Sequence, residues 1–240
     1  ALILLSGVQY YTGQFFDIKN ITKAGHDQGA KVGWDLAHAM GNLPLQLHDW
    51  DVDFATWCSY KYLNSGPGNV SGIFVHERFA HDKSIQRFAG WWGYNEDTRF
   101  QMTKGFDPMP GADGWQTSNV NVLSSAAHLA SLEIFDKVGM PALREKSLLL
   151  TGYLEFLIQE LSGEDNIFEV ITPANPDERG CQLSILFHQN GRALFEALTN
   201  QGVIADWREP NVIRVAPVPL YNKFEDVFQF VRILKQALTA

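Results

Sequence analysis

The stretch Asp51-Val52-Asp53-Phe54-Ala55-Thr56-Trp57-Cys58-Ser59-Tyr60-Lys61-Tyr62-Leu63-Asn64-Ser65-Gly66-Pro67-Gly68 constrains this chain more than any other. Residues 54–58 read as a short apolar strand, and Gly66-Pro67-Gly68 as a turn a few residues later. Between them stands one lysine, Lys61. A lysine just past the carboxyl end of a buried strand sits where open α/β sheets bind ligands. Desolvated there, its amine can form a Schiff base with a carbonyl compound. A solvated surface lysine would look the same in isolation, so its company has to decide.

The first half of the chain repeats the strand signal. Residues 1–5 form a continuous apolar run, which predicts a strand covered on both faces. A chain opening on such a run reads as a fragment whose upstream part is missing. Asp17 is placed to cap a helix with Ile18, Ile21 and Ala24 on one side, ending near Gly29. Residues 31–35 predict the next strand, 36–41 a turn of small residues, and 70–76 a further strand. Spacing of this kind implies parallel pairing through crossovers. Residues 90–113 differ, holding Trp91, Trp92, Tyr94, Phe100 and Phe106 among turn-forming residues with little periodicity. Long irregular segments of this kind are usually functional or interfacial.

From Val122 the apolar spacing turns helical, and a second helix is expected over 141–161. Short strands are expected at 167–171, 182–187, 203–206 and 212–216, with helices at 192–200 and 224–238. This second part reads as a compact α+β unit, and the boundary is placed near residue 125. The expected class is therefore α/β with a mainly parallel sheet (1–125), followed by a small α+β domain (126–240).

Bulk properties narrow the function classes. Of 240 residues, 45% are hydrophobic and 19% charged, a globular rather than a disordered balance. With 19 basic against 27 acidic residues the net charge is −8, and no run of Lys or Arg occurs, which argues against nucleic acid or anionic membrane as partners. The two cysteines, Cys58 and Cys181, stand in unlike contexts without metal-ligand spacing. Neither a disulfide framework nor a metal site is expected, and a reducing cytosol fits best. No apolar run reaches the roughly 18 residues of a membrane span. The opening residues lack the basic start of a signal peptide.

Asp35 ends the strand before the Lys61 strand, so both strand ends should share one edge of the sheet. Asp35-Leu36-Ala37-His38 would then bring a carboxylate and an imidazole to the crevice that holds the amine. Pyridoxal phosphate needs such a set: a lysine for its aldehyde and a carboxylate for its pyridinium nitrogen. His38 could lie over the ring or orient Asp35, and Tyr60 adjoins the lysine. Each signal alone is weak, because an aspartate at a strand end also caps turns and a lone histidine is often structural. Together with the 26-residue separation of Asp35 and Lys61 they are more specific.

Four motifs, Trp-Asp-Leu-Ala-His-Ala-Met-Gly-Asn from Trp34, Trp-Cys-Ser-Tyr-Lys-Tyr-Leu-Asn from Trp57, Gly-Trp-Trp-Gly from Gly90 and Ile-Arg-Val-Ala-Pro-Val-Pro-Leu-Tyr-Asn from Ile213, closely resemble kynureninases. Those are fold type I pyridoxal-phosphate enzymes near the class V aminotransferases, and the resemblance runs from Ser6-Gly7 to the last helix. It implies the C-terminal half of the large cofactor-binding domain followed by the small C-terminal domain. It also implies hydrolysis of L-kynurenine, or 3-hydroxykynurenine, to an anthranilate and L-alanine in tryptophan catabolism.

Carried over motif by motif, Lys61 would be the Schiff-base lysine and proton shuttle. Asp35 would pair with the pyridinium nitrogen, His38 would support the cofactor, and Tyr60 would contact the phosphate and serve in acid–base steps. Ser6 matches a cofactor-contact serine. Trp91 and Asn119 would reach the cofactor from the neighbouring subunit of a homodimer. Arg214 would hold the substrate α-carboxylate. Trp92 and Tyr94 stand near the expected aryl pocket, where family members carry residues such as Phe and His, which leaves the substrate preference open. The family's phosphate cup, ring-stacking aromatic and second cofactor-pairing aspartate belong to an N-terminal half outside these residues. The alternatives are a class V aminotransferase or cysteine desulfurase, and an inactive, cofactor-free fragment.

Overall fold

A computed structural model describes residues 1–161 and 167–239. The chain divides into two compact units: Ala1–Gly7, Asp17–Met40 and Leu45–Ile134 form the first, and Val8–Phe16, Gly41–Pro44 and Phe135–Ala240 the second.

The first unit is built on a four-stranded sheet of β1 (Leu2–Ser6), β2 (Lys31–Asp35), β3 (Phe54–Cys58) and β4 (Ser71–Val75), in that order. β1, β2 and β3 are parallel, with Ile3 opposite Val32 and Trp34 opposite Ala55. Helix α1 (Ile18–Asp27) makes the β1–β2 crossover. Asp17 caps it, accepting the Asn20 N–H at 3.0 Å. Its inward face is Ile18, Thr22 and Gly25 rather than the expected Ile18, Ile21 and Ala24. Glycine is required at 25, because a Cβ there would meet Val32 Cγ2 at 2.5 Å. Thr22 then accepts the Trp34 indole N–H at 3.0 Å, satisfying the one polar atom of a fully buried ring. Gly33 makes room on β2 for the Phe54 ring, which would lie 2.1 Å from a Cβ at that position.

Two expectations for this sheet need correction. β1 is an edge strand with Leu2 62%, Leu4 58% and Leu5 41% exposed, not one covered on both faces. An all-apolar run signals a strand that can be buried on both sides, but packing partners decide whether it is. β4 runs antiparallel to β3, with Phe54 opposite Val75 and Cys58 opposite Ser71. The link over 59–70 has no helix to carry the chain back across the sheet, so it simply reverses direction.

Helix α2 (Val122–Val138) follows two short 3-10 turns, Arg99–Gln101 and Gly111–Trp115, in the aromatic loop. The second unit contains α3 (Met140–Leu161), β5 (Phe168–Val170), β6 (Leu183–Phe187), α4 (Gly191–Asn200), β7 (Asp206–Arg208), β8 (Val212–Val215) and α5 (Phe224–Leu238). Its sheet has the order β5-β6-β8-β7 and is antiparallel throughout. Leu150, Leu154 and Ile158, one turn apart on α3, and Val227, Val231 and Leu234 on α5 close the core over it. The apolar residues from Val203 do not begin a strand. Val203 donates to the Leu198 carbonyl and so finishes α4 past Gly202 (φ +83°), leaving Ile204 fully exposed and the strand to start at Asp206. Among the described residues no helix is long and apolar enough to cross a membrane.

Candidate active site

Three parallel strands end at one edge of the first unit, and that edge is where the chemistry gathers. Ser6 and Asp35, the last residues of β1 and β2, are register partners, and Asp35 pairs on its other side with Thr56 of β3. Beyond Asp35 the chain closes into a turn. Leu36 N–H donates to the Thr56 carbonyl at 2.8 Å, and the Leu36 carbonyl accepts from Ala39 and Met40 at 2.9 Å. Asp35 Oδ1 accepts the Ala37 N–H at 2.8 Å, so the carboxylate braces the turn while staying exposed at the edge. That bracing fixes His38.

β3 continues past Cys58 into Ser59, which is fully buried and donates its hydroxyl to the Val70 carbonyl at 2.5 Å. Ser65 N–H returns to the Ser59 carbonyl at 3.1 Å, and Asn64 N–H to the Lys61 carbonyl at 3.0 Å. The loop so closed carries the Lys61 amine to 3.1 Å from His38 Nε2. An amine and an imidazole at that separation are within hydrogen-bond reach, the geometry that proton transfer between them needs. Tyr60 is 49% exposed beside them. The Cys58 sulfur next to its hydroxyl pushes the phenol's pKa up, through charge repulsion first and a hydrogen bond second.

Ser6, Asp35, His38, Tyr60 and Lys61 are thus brought to one strand edge. Trp91, Trp92 and Tyr94 form a second group in the same unit. Trp91 meets Phe100 edge to face at 5.4 Å, the Arg99 guanidinium lies 5.0 Å from the Trp92 ring, and the Tyr94 hydroxyl bonds Thr103 Oγ1 at 2.8 Å. The glycines flanking the tryptophans are packing requirements: a Cβ at Gly90 would lie 2.2 Å from Thr117 Cα, and one at Gly93 2.7 Å from the Gln116 carbonyl. Asn119 is exposed just before α2. Arg214 belongs to the second unit and is no surface arginine. It is 8% exposed on β8, ion-paired with Asp206 of β7, and donates to the Tyr10 carbonyl at 2.5 Å.

Sequence reasoning missed two features of the first unit. Cys58 carries no motif of its own, yet its thiol sets the surroundings of Tyr60. Asp53, at the opposite end of β3, is 2% exposed and accepts from Val32 N–H at 2.7 Å, Arg78 Nη2 at 2.6 Å and His26 Nε2 at 2.7 Å. Burial alone would raise its pKa, but those bonds outweigh it and hold the carboxyl below the ordinary value. The cue was an aspartate directly before an apolar strand; its partners come from three distant segments. Among the described residues no group of three or more His, Cys, Asp or Glu could hold a metal ion.

As a donor set, the edge offers an amine, a neighbouring imidazole, a carboxylate and a phenol. Those are the groups an aldehyde-bearing aromatic ring with a basic nitrogen would need.

Comparison with known proteins gives the same direction. Residues 143–234 match the family model of the kynureninase C-terminal domain. The chain is 61% identical to the kynureninase of Flavobacterium johnsoniae and 59% to that of Flavobacterium psychrophilum, in each case over 99% of this chain and 56% of the relative. Among solved structures it resembles the apo cysteine desulfurase of Thermococcus onnurineus, with TM-score 0.81 and 14% identity over 99% of this chain and 60% of the other. It also resembles a C-DES variant with glycine covalently linked to its PLP cofactor, with TM-score 0.78 and 19% identity over 98% of this chain and 60% of the other. At those identities the structures establish the fold alone, an α/β fold whose first sheet is mixed and mostly parallel. By sequence the chain is similar to these kynureninases along nearly all of its own length, and it spans little more than half of theirs.

Proposed function

We propose that this chain carries the catalytic lysine edge of a kynureninase, which hydrolyses L-kynurenine or 3-hydroxy-L-kynurenine to anthranilate or 3-hydroxyanthranilate and L-alanine. The observation that carries the reading is the 61% identity that runs through the edge where Lys61 meets His38 at 3.1 Å. When bound, pyridoxal phosphate supplies an aldehyde for an amine and a ring that accepts electrons from the substrate α-carbon. The residues at the edge fit that group. Lys61 would hold the aldehyde and serve as the base for the α-proton, and His38 Nε2 is placed to exchange a proton with the lysine amine. Asp35 would pair with the ring nitrogen and favour its protonated form. Tyr60 offers its hydroxyl to a phosphate oxygen and to acid–base steps, and Ser6 flanks Asp35 on β1. Water attacks the ketone carbon beside the aryl ring. The carbon–carbon bond breaks, the water oxygen stays in the aryl acid, and the three-carbon fragment takes a proton to become alanine.

Arg214 is assigned the substrate α-carboxylate through paired N–H bonds, its guanidinium fixed by Asp206 and the Tyr10 carbonyl. Trp92 and Tyr94 are assigned to the aryl pocket, and Trp91 and Asn119 to the cofactor site of a neighbouring subunit. Exposure of Phe88 (88%), Trp91 (44%) and Phe100 (79%) supports a homodimer in which this loop meets a second copy. The functional division is set near residue 125, cofactor edge before it and small domain after it. That neither Cys58 nor Cys181 is in a disulfide supports a cytoplasmic setting.

The test is turnover of L-kynurenine with added pyridoxal phosphate, reading anthranilate fluorescence and alanine together. Equal release of both, abolished in Lys61→Ala, is expected. Conversion of kynurenine to its 2-oxo acid, with the amino group passed to the cofactor and neither anthranilate nor alanine released, would point to transamination instead.

A further inference from the structure

The loop that presents Lys61 is held only in part by its own bonds, among them Asn64 Nδ2 to the Tyr62 carbonyl and Asn69 Nδ2 to the Ser65 carbonyl. Within five residues it passes through three left-handed positions, Asn64 (φ +57°), Gly66 (φ +90°) and Gly68 (φ +70°), and an asparagine in that region is strained relative to a glycine. Two backbone bonds close it, Asn64 N–H to Lys61 and Ser65 N–H to Ser59. Further anchors come from α2, more than sixty positions along the chain. Ser131 Oγ donates to the carbonyl of Leu63, and Ser65 Oγ bonds His128 Nδ1 at 2.6 Å. Ser131 (7% exposed), Ser65 (6%) and Leu63 (6%) are all buried, so water offers no ready substitute for these bonds. His128 and Ser131 stand one turn apart on α2 and grip the loop two and four residues past the lysine.

We propose that His128 and Ser131 are positioning residues for Lys61: they fix the loop so that the amine stays at His38 instead of swinging with a mobile turn. The proposal rests on the reading of Lys61 as the amine that takes up pyridoxal phosphate, and deepens it. Neither residue touches the amine, so their effect must pass through the loop.

The experiment uses the whole chain in four forms: native, Ser131→Ala, His128→Leu and His128→Asn, whose amide oxygen can still accept from Ser65. Two quantities are read. One is the rate at which pyridoxal phosphate, trapped with borohydride, labels Lys61 by peptide mass. The other is amide hydrogen exchange at Asn64 and Ser65, with β2 and β3 amides as the check on folding. In Ser131→Ala and in His128→Leu, loop exchange should rise and Lys61 labelling slow by about fivefold each, the factor one ordinary hydrogen bond supplies. His128→Asn should recover most of both. Labelling at the native rate in a folded Ser131→Ala, His128→Leu double variant would overturn the proposal. If the native chain takes no label at Lys61 yet the loop amides still respond, the anchoring is supported and the cofactor reading is the part that fails.

Discussion

Replacing Asp53 with asparagine should weaken the first unit without changing its shape. The side chain is 3% exposed and holds Val32 N–H, Arg78 Nη2 and His26 Nε2 within 2.7 Å, with Lys31 Nζ at 3.8 Å. An asparagine that keeps its oxygen on Val32 and His26, which share Oδ2, turns an N–H₂ toward Arg78 and Lys31 and removes the charge facing Arg78. Breaking a fully buried pair costs about 3–5 kcal/mol. Arg78 keeps 29% of its side-chain exposure, which lowers the expected loss to about 2–4 kcal/mol. Urea unfolding should show the midpoint shifted with m unchanged, and thermal unfolding a Tm lower by roughly 6–12 °C.

The pH dependence fixes the mechanism. The Asp53 carboxyl is held below its ordinary value, 3.8, so its contribution is complete above that pH and is lost as pH falls through the folded value. The gap between native and Asp53→Asn should therefore stay constant from neutral to mildly acid pH and close in strong acid. A loss below about 1 kcal/mol at neutral pH, or a gap that persists in strong acid, would refute the reasoning.

Three further outcomes follow from local geometry. His48 and His76 stack at 4.7 Å, and their pKa values are pushed apart: Glu77 and Asp49 raise His48, while burial, Arg78 and His48 lower His76. NMR titration should place His48 above 6.5 and His76 below it. Stability linked to neutral His76 should then fall as pH drops below 6.5, since the unfolded chain protonates first; the reverse order would contradict the assignment. Gly33→Ala should cost about 1–3 kcal/mol by driving a methyl into the Phe54 ring, with Phe54→Leu recovering part of it. On the proposed assignment of Arg214 to the substrate α-carboxylate, Arg214→Lys should raise KM for kynurenine about tenfold with a smaller effect on kcat, because an ammonium cannot form the paired bonds.

Much of the frame was legible because it rests on local rules. β2, β3 and α5 occupy the expected residues, as strict apolar runs bounded by turns and a clean helical stripe make them. Ser6, Asp35 and Lys61 share an edge because parallel register forces it. What was not legible depends on distant partners. The exposure of β1 depends on what packs against it, and the direction of β4 depends on a link that has no helix. Val203 looked like a strand start because its bond to Leu198 at the end of α4 leaves no mark in composition. Asp53 and the α2 anchors of the lysine loop are pairs formed across many residues, and no spacing rule connects them.

The central claim is that Lys61 is the amine that takes up pyridoxal phosphate, and peptide mapping after borohydride trapping tests it most directly. The account predicts near-visible absorbance on adding the cofactor, then one phosphopyridoxyl group on the peptide holding Lys61, both lost in Lys61→Ala. A colourless chain, or label spread over other lysines with Lys61 unmodified, would contradict it.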